Sequence, residues 1–287
     1  MAQTLHNIHT ERTTARRLGR SSHPTMDAQK MHTAEMDLSE QIKKVTMESH
    51  MRAENTELML SFQKGQVSMQ QYKLLLSSLH EIYQTLEEEL DRNCKHPAVE
   101  PIYFPAELAR LDSVQKDLEF FYGPGWKDKM LVPAETRRYC DRLRQIGKEN
   151  PEYLVAHAYT RYLGDLSGGQ VLGRVAQKSM GLKSSEGLSF FAFPGVSSPN
   201  LFKQLYRGRM NVLELSQEQR AGVLEEAVRA FEHNIQVFEG VQKMLSVLSE
   251  RQPTSKVFLN RTVALPTLLR MALGMFVAVV TMGIWML

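Results

Sequence analysis

Four glycines and one carboxylate share a short stretch of the chain whose pattern otherwise predicts a helix. Gly164, Gly168, Gly169 and Gly173 each cost roughly 1 kcal/mol relative to alanine inside a helix. Either a flat ligand requires bare backbone here, or the small-xxx-small spacing serves close helix packing. Asp165 lies inside the cluster, and helix-packing seams seldom carry a carboxylate. The cluster therefore favours a ligand-binding face.

Nine histidines prompt a search for a metal site, and the common metal patterns are missing. His80-Glu81 lacks the second histidine of a zinc protease, because Gln84 stands in its place. No histidine follows an acid by three residues, which removes the carboxylate-bridged di-iron bundle. His50 remains, with Glu54 one turn later to hold one ring nitrogen while the other binds a metal. On these facts alone, a hydrogen-bonded structural histidine explains His50 better than a metal ligand does.

The glycine cluster and His50 together change this interpretation. A planar porphyrin needs an axial imidazole on one face and closely approaching backbone on the other. His50 could supply the first, and Gly164 with Gly168 the second. No second strong ligand would lie on the glycine side, and an open sixth position favours O2 binding over electron transfer. Asp165 could then anchor a water that donates a hydrogen bond to the bound oxygen and delivers protons.

Helices must position these residues, because the chain shows no sustained alternation of the strand type. The capping box Asp37-Leu-Ser-Glu40 predicts the start of the first helix. A single all-α domain over residues 37–248 is expected. The apolar face of the first helix is predicted to contain Leu38, Ile42, Val45 and Ser49. The later helices are predicted at Ser68–Asn93, Pro105–Phe121, Pro133–Gly147, Pro151–Gly181, Pro199–Leu215 and Gln217–Leu248.

The two ends of the chain differ from this domain in composition. Residues 1–36 carry arginine, serine and threonine with few acids, which matches a transit peptide weakly and predicts a disordered basic extension. Residues 249–264 are predicted to be a linker. Residues 265–287 end in an uncharged apolar run and predict a C-terminal transmembrane helix. The basic residues before this run predict that the main domain faces the cytosol.

Net charge and cysteine content exclude other classes of protein. The net charge of +3 is too small to indicate nucleic-acid binding. Only two cysteines occur, Cys94 and Cys140, which excludes a disulfide scaffold and suits a reducing compartment.

The stretch HAYTRYLGDLSGGQ at residues 157–170 resembles the distal-helix signature of the heme oxygenases. Three further stretches also resemble that family: FQKGQVS at 62–68, YFPAELARL at 103–111 and FKQLYRGRMN at 202–211. The resemblance covers about residues 37–248, and the hydrophobic tail is similar to that of the animal enzymes. It implies an all-α, single-domain heme-oxygenase fold with heme held between a proximal and a distal helix.

The resemblance also implies roles for individual residues. His50 matches the proximal iron ligand, and Glu54 matches its hydrogen-bond partner. Gly164 and Gly168 match the distal glycines that contact heme, and Asp165 matches the carboxylate that organises the distal water. The other implied site residues are Tyr83, Arg161 and Asn234 in the distal network, Lys43, Tyr159, Lys203 and Arg207 around the heme propionates, and Thr46, Phe231 and Phe238 in the pocket wall.

The reaction implied by the resemblance uses heme b as both substrate and cofactor. It cleaves heme at the α-meso carbon to biliverdin IXα, CO and ferrous iron, using O2 and electrons from NADPH through cytochrome P450 reductase. Biliverdin reductase is the implied acceptor of the product, and the endoplasmic reticulum is the implied membrane. A membrane-tethered heme carrier or sensor without turnover is the alternative, and the intact Gly164-Asp165 cluster speaks against it. A non-heme metalloenzyme is disfavoured by the missing acid–histidine spacings.

A few positions depart from the pattern of the family. Met47 stands where relatives often carry a lysine, which predicts one fewer charge beside the propionates. Gly173-Arg174 replaces a lysine pair, which predicts weaker docking of the electron donor. Neither cysteine is followed by proline, so the chain resembles the inducible type 1 enzyme more than type 2.

Overall fold

The computed structural model describes residues 36–251 of the 287-residue chain. The secondary structure of this range consists of helices joined by turns and loops, and the range contains no strand. The predicted transmembrane helix and nearly all of the predicted linker and basic extension lie outside the described residues. Within residues 36–251, no helix combines the length and the apolar character needed to cross a membrane.

Eleven α-helices follow one another between residues 36 and 251. Short 3₁₀ turns connect some of them, and a π-helical turn, Tyr159–Leu163, joins α8 to α9. We call residues 154–180, which comprise α8, this π turn and α9, the glycine-bearing helix. The helices are α1 (Leu38–Glu54), α2 (Glu57–Gln63), α3 (Met69–Arg92), α4 (Pro105–Leu108), α5 (Leu111–Tyr122), α6 (Trp126–Lys129), α7 (Ala134–Glu149), α8 (Leu154–Ala158), α9 (Gly164–Met180), α10 (Pro199–Asn211) and α11 (Gln217–Arg251).

The core is built around α3, which is buried along most of its length and packs against α5, α7, α8 and α11. Tyr72, Ile82 and Tyr83 on this helix are fully buried. The N-terminus of α3 is capped by Ser68, whose hydroxyl accepts a hydrogen bond from the Gln71 amide at 3.1 Å. The second framework contact is between α1 and α11. These two packings place α1, α11 and the glycine-bearing helix around one space.

The first helix begins where predicted, but its capping box is wrong in detail. The Asp37 carbonyl accepts the first helical bond from the Gln41 amide at 2.9 Å, while the Asp37 side chain makes no cap hydrogen bond. Instead, the Asn211 side chain accepts a hydrogen bond from the Ser39 amide at 3.0 Å. A residue from α10 therefore does the capping, which no local pattern could indicate.

The buried face of α1 also differs from the prediction. Val45 is 41% exposed, whereas Thr46 is buried and its hydroxyl donates to the Ile42 carbonyl at 2.8 Å. Thr46 rather than Val45 therefore faces the core. Its hydroxyl can be buried there because it forms a hydrogen bond within its own helix.

The helix predicted over Pro105–Phe121 is wrong as a single element. Ala109 has a ψ of 133°, which separates α4 from α5. The Arg110 amide then donates to a carboxylate oxygen of Glu87 at 2.6 Å and does not continue the hydrogen bonding of α4. The prediction for the tenth helix extended too far, since α10 ends at Asn211, and α2 and α6 were not predicted.

Candidate active site

A cavity of about 240 Å³ lies between α1 and the glycine-bearing helix. A smaller one of about 100 Å³ adjoins it, and His50, Gly164 and Phe231 line both. The predicted residues that line the larger cavity are His50, Glu54, Arg161, Gly164, Asp165, Gly168, Phe231 and Phe238. The predicted residues that line the smaller one in addition are Lys43, Thr46 and Tyr159.

His50 presents a largely buried imidazole to both cavities. Its ring meets the edge of the Phe231 ring, with centroids 5.5 Å apart. Burial lowers the pKa of His50, which favours the neutral imidazole that binds metals. A single imidazole suits an iron that a porphyrin already holds.

Glu54 lies beside His50, but the predicted hydrogen bond between them is not formed. Glu54 Oε1 is 3.7 Å from His50 Nδ1, which is too long for a direct hydrogen bond. This oxygen is buried and has no hydrogen-bond partner among the described residues, and burial raises the pKa of Glu54. A small rotation of the imidazole would satisfy the buried oxygen and leave Nε2 as the ligating nitrogen.

The four glycines of the sequence pattern have two kinds of neighbour. A Cβ atom on Gly164 would meet no other atom within 4 Å, and both Gly164 and Gly168 line the cavity. Cβ atoms on Gly169 and Gly173 would instead lie 3.5 and 3.1 Å from the side chain of Phe191. Gly164 and Gly168 therefore leave backbone open to the cavity, whereas Gly169 and Gly173 allow close packing against the 3₁₀ turn that holds Phe191.

Asp165 belongs to a connected group of polar side chains, which we call the distal group (Tyr83, Arg161, Asp165 and Asn234). Its other three members are buried. The Tyr83 hydroxyl donates to Asp165 Oδ2, and Arg161 Nη2 lies 3.9 Å from the same oxygen. Arg161 Nη1 donates to Asn234 Oδ1 at 2.5 Å. Its guanidinium also lies over the Tyr83 ring, 5.1 Å from the centroid. Tyr83 and Asn234 thus hold the two residues that line the cavity.

The protonation behaviour of the distal group suits proton transfer. Burial raises the pKa of Asp165 well above its usual value, while burial lowers the pKa of Arg161. A carboxyl group with a raised pKa retains its proton at a higher pH than an exposed one does, so it can donate that proton to a bound group. Perturbed groups of this kind in a cavity mark a candidate catalytic site.

Basic side chains of α10 gather near Tyr159, which lines the smaller cavity. Lys203 is buried, and burial, together with the neighbouring charge of Arg207, lowers its pKa. Arg207 is hydrogen-bonded to the Tyr159 hydroxyl. Lys43 on α1 pairs with Glu40 at 3.7 Å. Two adjacent cations, one of them buried, favour an anionic ligand group.

Sequence reasoning missed most of the apolar wall of the cavity. Leu75, Leu79, Leu172, Phe190 and Phe191 all line it. The two phenylalanines belong to the 3₁₀ turn Ser189–Phe191, which lies between the helices predicted over Pro151–Gly181 and Pro199–Leu215. Three aromatic residues within four positions of a loop were the signal for a buried segment.

The departures from the family pattern lie in different environments. Met47 is exposed. Gly173 is buried against Phe191, and only Arg174 of the Gly173-Arg174 pair is exposed. Gly173 is therefore part of the packing between the glycine-bearing helix and the 3₁₀ turn.

Comparison with known proteins agrees with this geometry. A family model described as heme oxygenase matches residues 36–240. A heme oxygenase of Takifugu rubripes is 64% identical over 273 residues, covering 90% of this chain and 98% of that protein. Heme oxygenase 1 of Homo sapiens is 51% identical over 221 residues, covering 77% of each chain.

Solved structures show the same architecture. The crystal structure of heme oxygenase-1 from the cyanobacterium Synechocystis in complex with heme has a TM-score of 0.69 and 38% sequence identity. The match covers 75% of this chain and 98% of that one. The predicted all-α heme-oxygenase fold is thereby confirmed for the described residues. These matches agree with the imidazole, the open glycine backbone and the carboxyl group that line one cavity. The chain therefore belongs to the heme oxygenase family and is a heme-degrading oxygenase.

Proposed function

We propose that this enzyme cleaves heme at the α-meso carbon and releases biliverdin IXα, CO and ferrous iron. The observation that carries the proposal is the position of Asp165. It lies on the helix that leaves open backbone at Gly164, in the cavity that His50 lines from α1. An imidazole and a largely buried carboxyl group thereby flank the same space.

The residues of the cavity fit a heme. His50 would bind the iron through Nε2, and Glu54, whose buried oxygen lacks a hydrogen-bond partner among the described residues, would accept from Nδ1. Gly164 and Gly168 would let the porphyrin approach the backbone, with Thr46, Phe231 and Phe238 along the wall. Bound heme would supply the iron that activates O2 and the carbon skeleton that is cleaved.

The distal group would control protons at this site. Asp165 would hold a water and pass a proton through it, because burial raises its pKa well above the usual value and so favours a carboxyl group that carries a proton. Tyr83 would fix the orientation of the carboxyl group through its hydrogen bond. Arg161 and Asn234 would fix it from the other side.

The basic residues would orient the substrate. Lys43, Lys203 and Arg207, together with the Tyr159 hydroxyl, would bind the two propionates. Charged groups pair well with carboxylates and set the in-plane rotation of the ring. That rotation decides which meso carbon lies nearest the distal group.

We also propose the cellular setting that the sequence indicates. Residues 265–287 would anchor the enzyme in the endoplasmic reticulum membrane, with its catalytic domain in the cytosol. NADPH–cytochrome P450 reductase would supply electrons there, and biliverdin reductase would accept the product. Confinement to one surface raises the frequency of encounter with a membrane-bound donor. The absence of Cys-Pro dipeptides supports the type 1 form.

One reconstitution tests the reaction. The full-length chain in detergent is supplied with hemin, O2 and either ascorbate or the reductase with NADPH. We expect loss of the Soret band, release of CO and one predominant bile-pigment isomer. Binding of hemin without any pigment would instead support the carrier or sensor.

Carbonate extraction of membranes tests the anchor, using the chain with and without residues 265–287. Only the full-length chain should stay in the membrane pellet.

A further inference from the structure

Two buried, oppositely charged residues, one at the start of α5 and one within it, hold the loop that carries Phe190 and Phe191. Arg110 immediately precedes α5 and Asp117 lies within it, seven positions later, which is two helical turns along the same face. Both are almost completely buried. We call this pair the α5 clamp.

Asp117 binds the amide side of the loop. Its Oδ1 accepts a hydrogen bond from the Ser189 amide at 2.7 Å, and its Oδ2 accepts one from the Phe190 amide at 2.8 Å. These two amides begin the 3₁₀ turn Ser189–Phe191 and have no partner within that turn. Burial raises the pKa of Asp117, and its bonds to these two amides oppose that rise. The carboxylate thus replaces solvent for two backbone donors.

Arg110 binds the carbonyl side of the same loop. Its Nη1 donates to the Phe190 carbonyl at 3.4 Å and also to the Ala192 carbonyl. The guanidinium lies over the Phe193 ring, 3.8 Å from the centroid. The loop is therefore held through its donors by an anion and through its acceptors by a cation.

The α5 clamp positions a wall of the cavity. Phe190 packs against the Tyr83 ring at 5.8 Å between centroids, and Tyr83 donates to Asp165. Phe191 fills the space over Gly173. Both phenylalanines line the cavity. A displacement of this loop would therefore change the shape of the cavity and the support of the distal group together.

We propose that Asp117 is a positioning residue for heme cleavage. Its two hydrogen bonds fix the aromatic wall of the cavity, formed by Phe190 and Phe191. A bound porphyrin would meet this wall, which would limit how deeply the ring enters and how far it rotates, and so help to decide which meso carbon is presented to Asp165. This inference rests on the α selectivity given under the proposed function.

Asp117→Asn is the most direct test, because it keeps the size of the side chain. An asparagine can accept from one of the two amides, but its NH2 group then faces the other donor. The matched control is Asp112→Asn, the same change at an exposed position of α5. All chains are studied at full length in detergent, with hemin, O2 and ascorbate as the reductant.

We expect Asp117→Asn to raise the fraction of minor bile-pigment isomers about threefold and to weaken hemin binding about tenfold, because small misplacements of bound groups have large effects. Proton NMR of the cyanide complex of the hemin-loaded protein gives a readout independent of turnover. New heme-methyl resonances would report a second orientation of heme in the cavity, which we call a second seating. Asp112→Asn should match the parent in all three measurements. A mixture of isomers from the parent itself would overturn the proposed α selectivity, whereas the difference between variant and parent tests the clamp.

The inference is overturned if Asp117→Asn lowers only the melting temperature and leaves the isomers, the hemin affinity and the NMR seating unchanged. Phe191→Leu provides the test if Asp117→Asn does not fold, since it trims the wall and keeps the clamp. Redistributed isomers and a second seating in Phe191→Leu would support the role of the wall. Unchanged isomers and seating would overturn it.

Discussion

The hydroxyl of Tyr83 on α3 donates a hydrogen bond to Oδ2 of Asp165 on α9, a residue 82 positions later in the chain. This bond connects the buried central helix with the helix that lines the cavity. Arg161 approaches the same oxygen at 3.9 Å. The carboxyl group is therefore oriented by one distant residue on α3 and by one residue four positions earlier on its own helix.

Removal of this hydrogen bond should slow heme cleavage without preventing heme binding. We expect Tyr83→Phe to lower the rate of pigment formation about tenfold, equivalent to about 1.4 kcal/mol, because Asp165 loses its orientation. Asp165→Ala should lower the rate about 100-fold, the scale of a lost proton-transfer group. Hemin affinity, measured by Soret titration, should stay within about threefold in both variants. A larger rate loss in Tyr83→Phe than in Asp165→Ala would contradict this order of roles.

Replacement of His50 should remove the axial ligand while leaving the fold intact. We expect His50→Ala to weaken hemin binding by at least about tenfold and to change its absorption spectrum. Added imidazole should restore both the spectrum and part of the activity. His96→Ala is the matched control, because His96 lies outside both cavities. Full activity of His50→Ala without imidazole would place the iron ligand elsewhere.

The two glycine pairs should respond in opposite ways to alanine. Gly164 has helical φ and ψ of −61° and −53° and open space where a methyl group would lie, so Gly164→Ala should raise the free energy of unfolding by about 1 kcal/mol. It should also weaken hemin binding. Gly173→Ala should instead destabilise the protein by about 1–2 kcal/mol, because the new methyl group would press on Phe191. Urea denaturation without heme, combined with hemin titration, would separate the two effects.

A partly buried histidine away from the cavity, His233, should make the protein sensitive to acid. His233 stacks on Tyr139 with centroids 5.0 Å apart. Burial, aided by the charges of His157, Arg142 and Arg138 and opposed by that of Glu226, lowers the pKa of His233 from 6.5 to about 4.

Because the unfolded chain then binds the proton more strongly, the stability from neutral His233 is present above pH 6.5 and is lost as the pH falls through about 4. His233→Phe keeps the stacking and should flatten the dependence of stability on pH between these values. Urea midpoints measured across that range would check it. An unchanged slope would show that other groups dominate.

Part of the site could be predicted from the sequence because its residues are close along one helix. The stretch from Tyr159 to Gly168 carries the bare backbone, the acid and its arginine within one local pattern. His50 and Glu54 are likewise one turn apart. For His50 and Glu54 the helical period alone places both side chains on a shared face. In the stretch from Tyr159 to Gly168 the residues are local, but the π turn sets the rotation between its two halves.

Other parts depend on contacts between distant segments and have no local signal. Asn211 caps α1 from a helix 172 positions away. The break between α4 and α5 depends on Glu87 of α3, whose carboxylate accepts a hydrogen bond from the Arg110 amide. The aromatic wall depends on Asp117, whose two acceptors meet amides more than 70 positions later. Such pairings emerge only when the helices are packed.

The π turn from Tyr159 to Leu163 constrains how this gene can change by insertion or deletion. The turn holds one more residue than an α-helical path would, and each residue of a helix turns the following segment by about 100°. Loss of a single codon here could restore a regular helix and still preserve every other side chain. It would nevertheless rotate the glycines and the acid away from the space that Tyr159 and Arg161 face. A reading-frame-preserving deletion in this turn should therefore be as harmful as the loss of the acid itself.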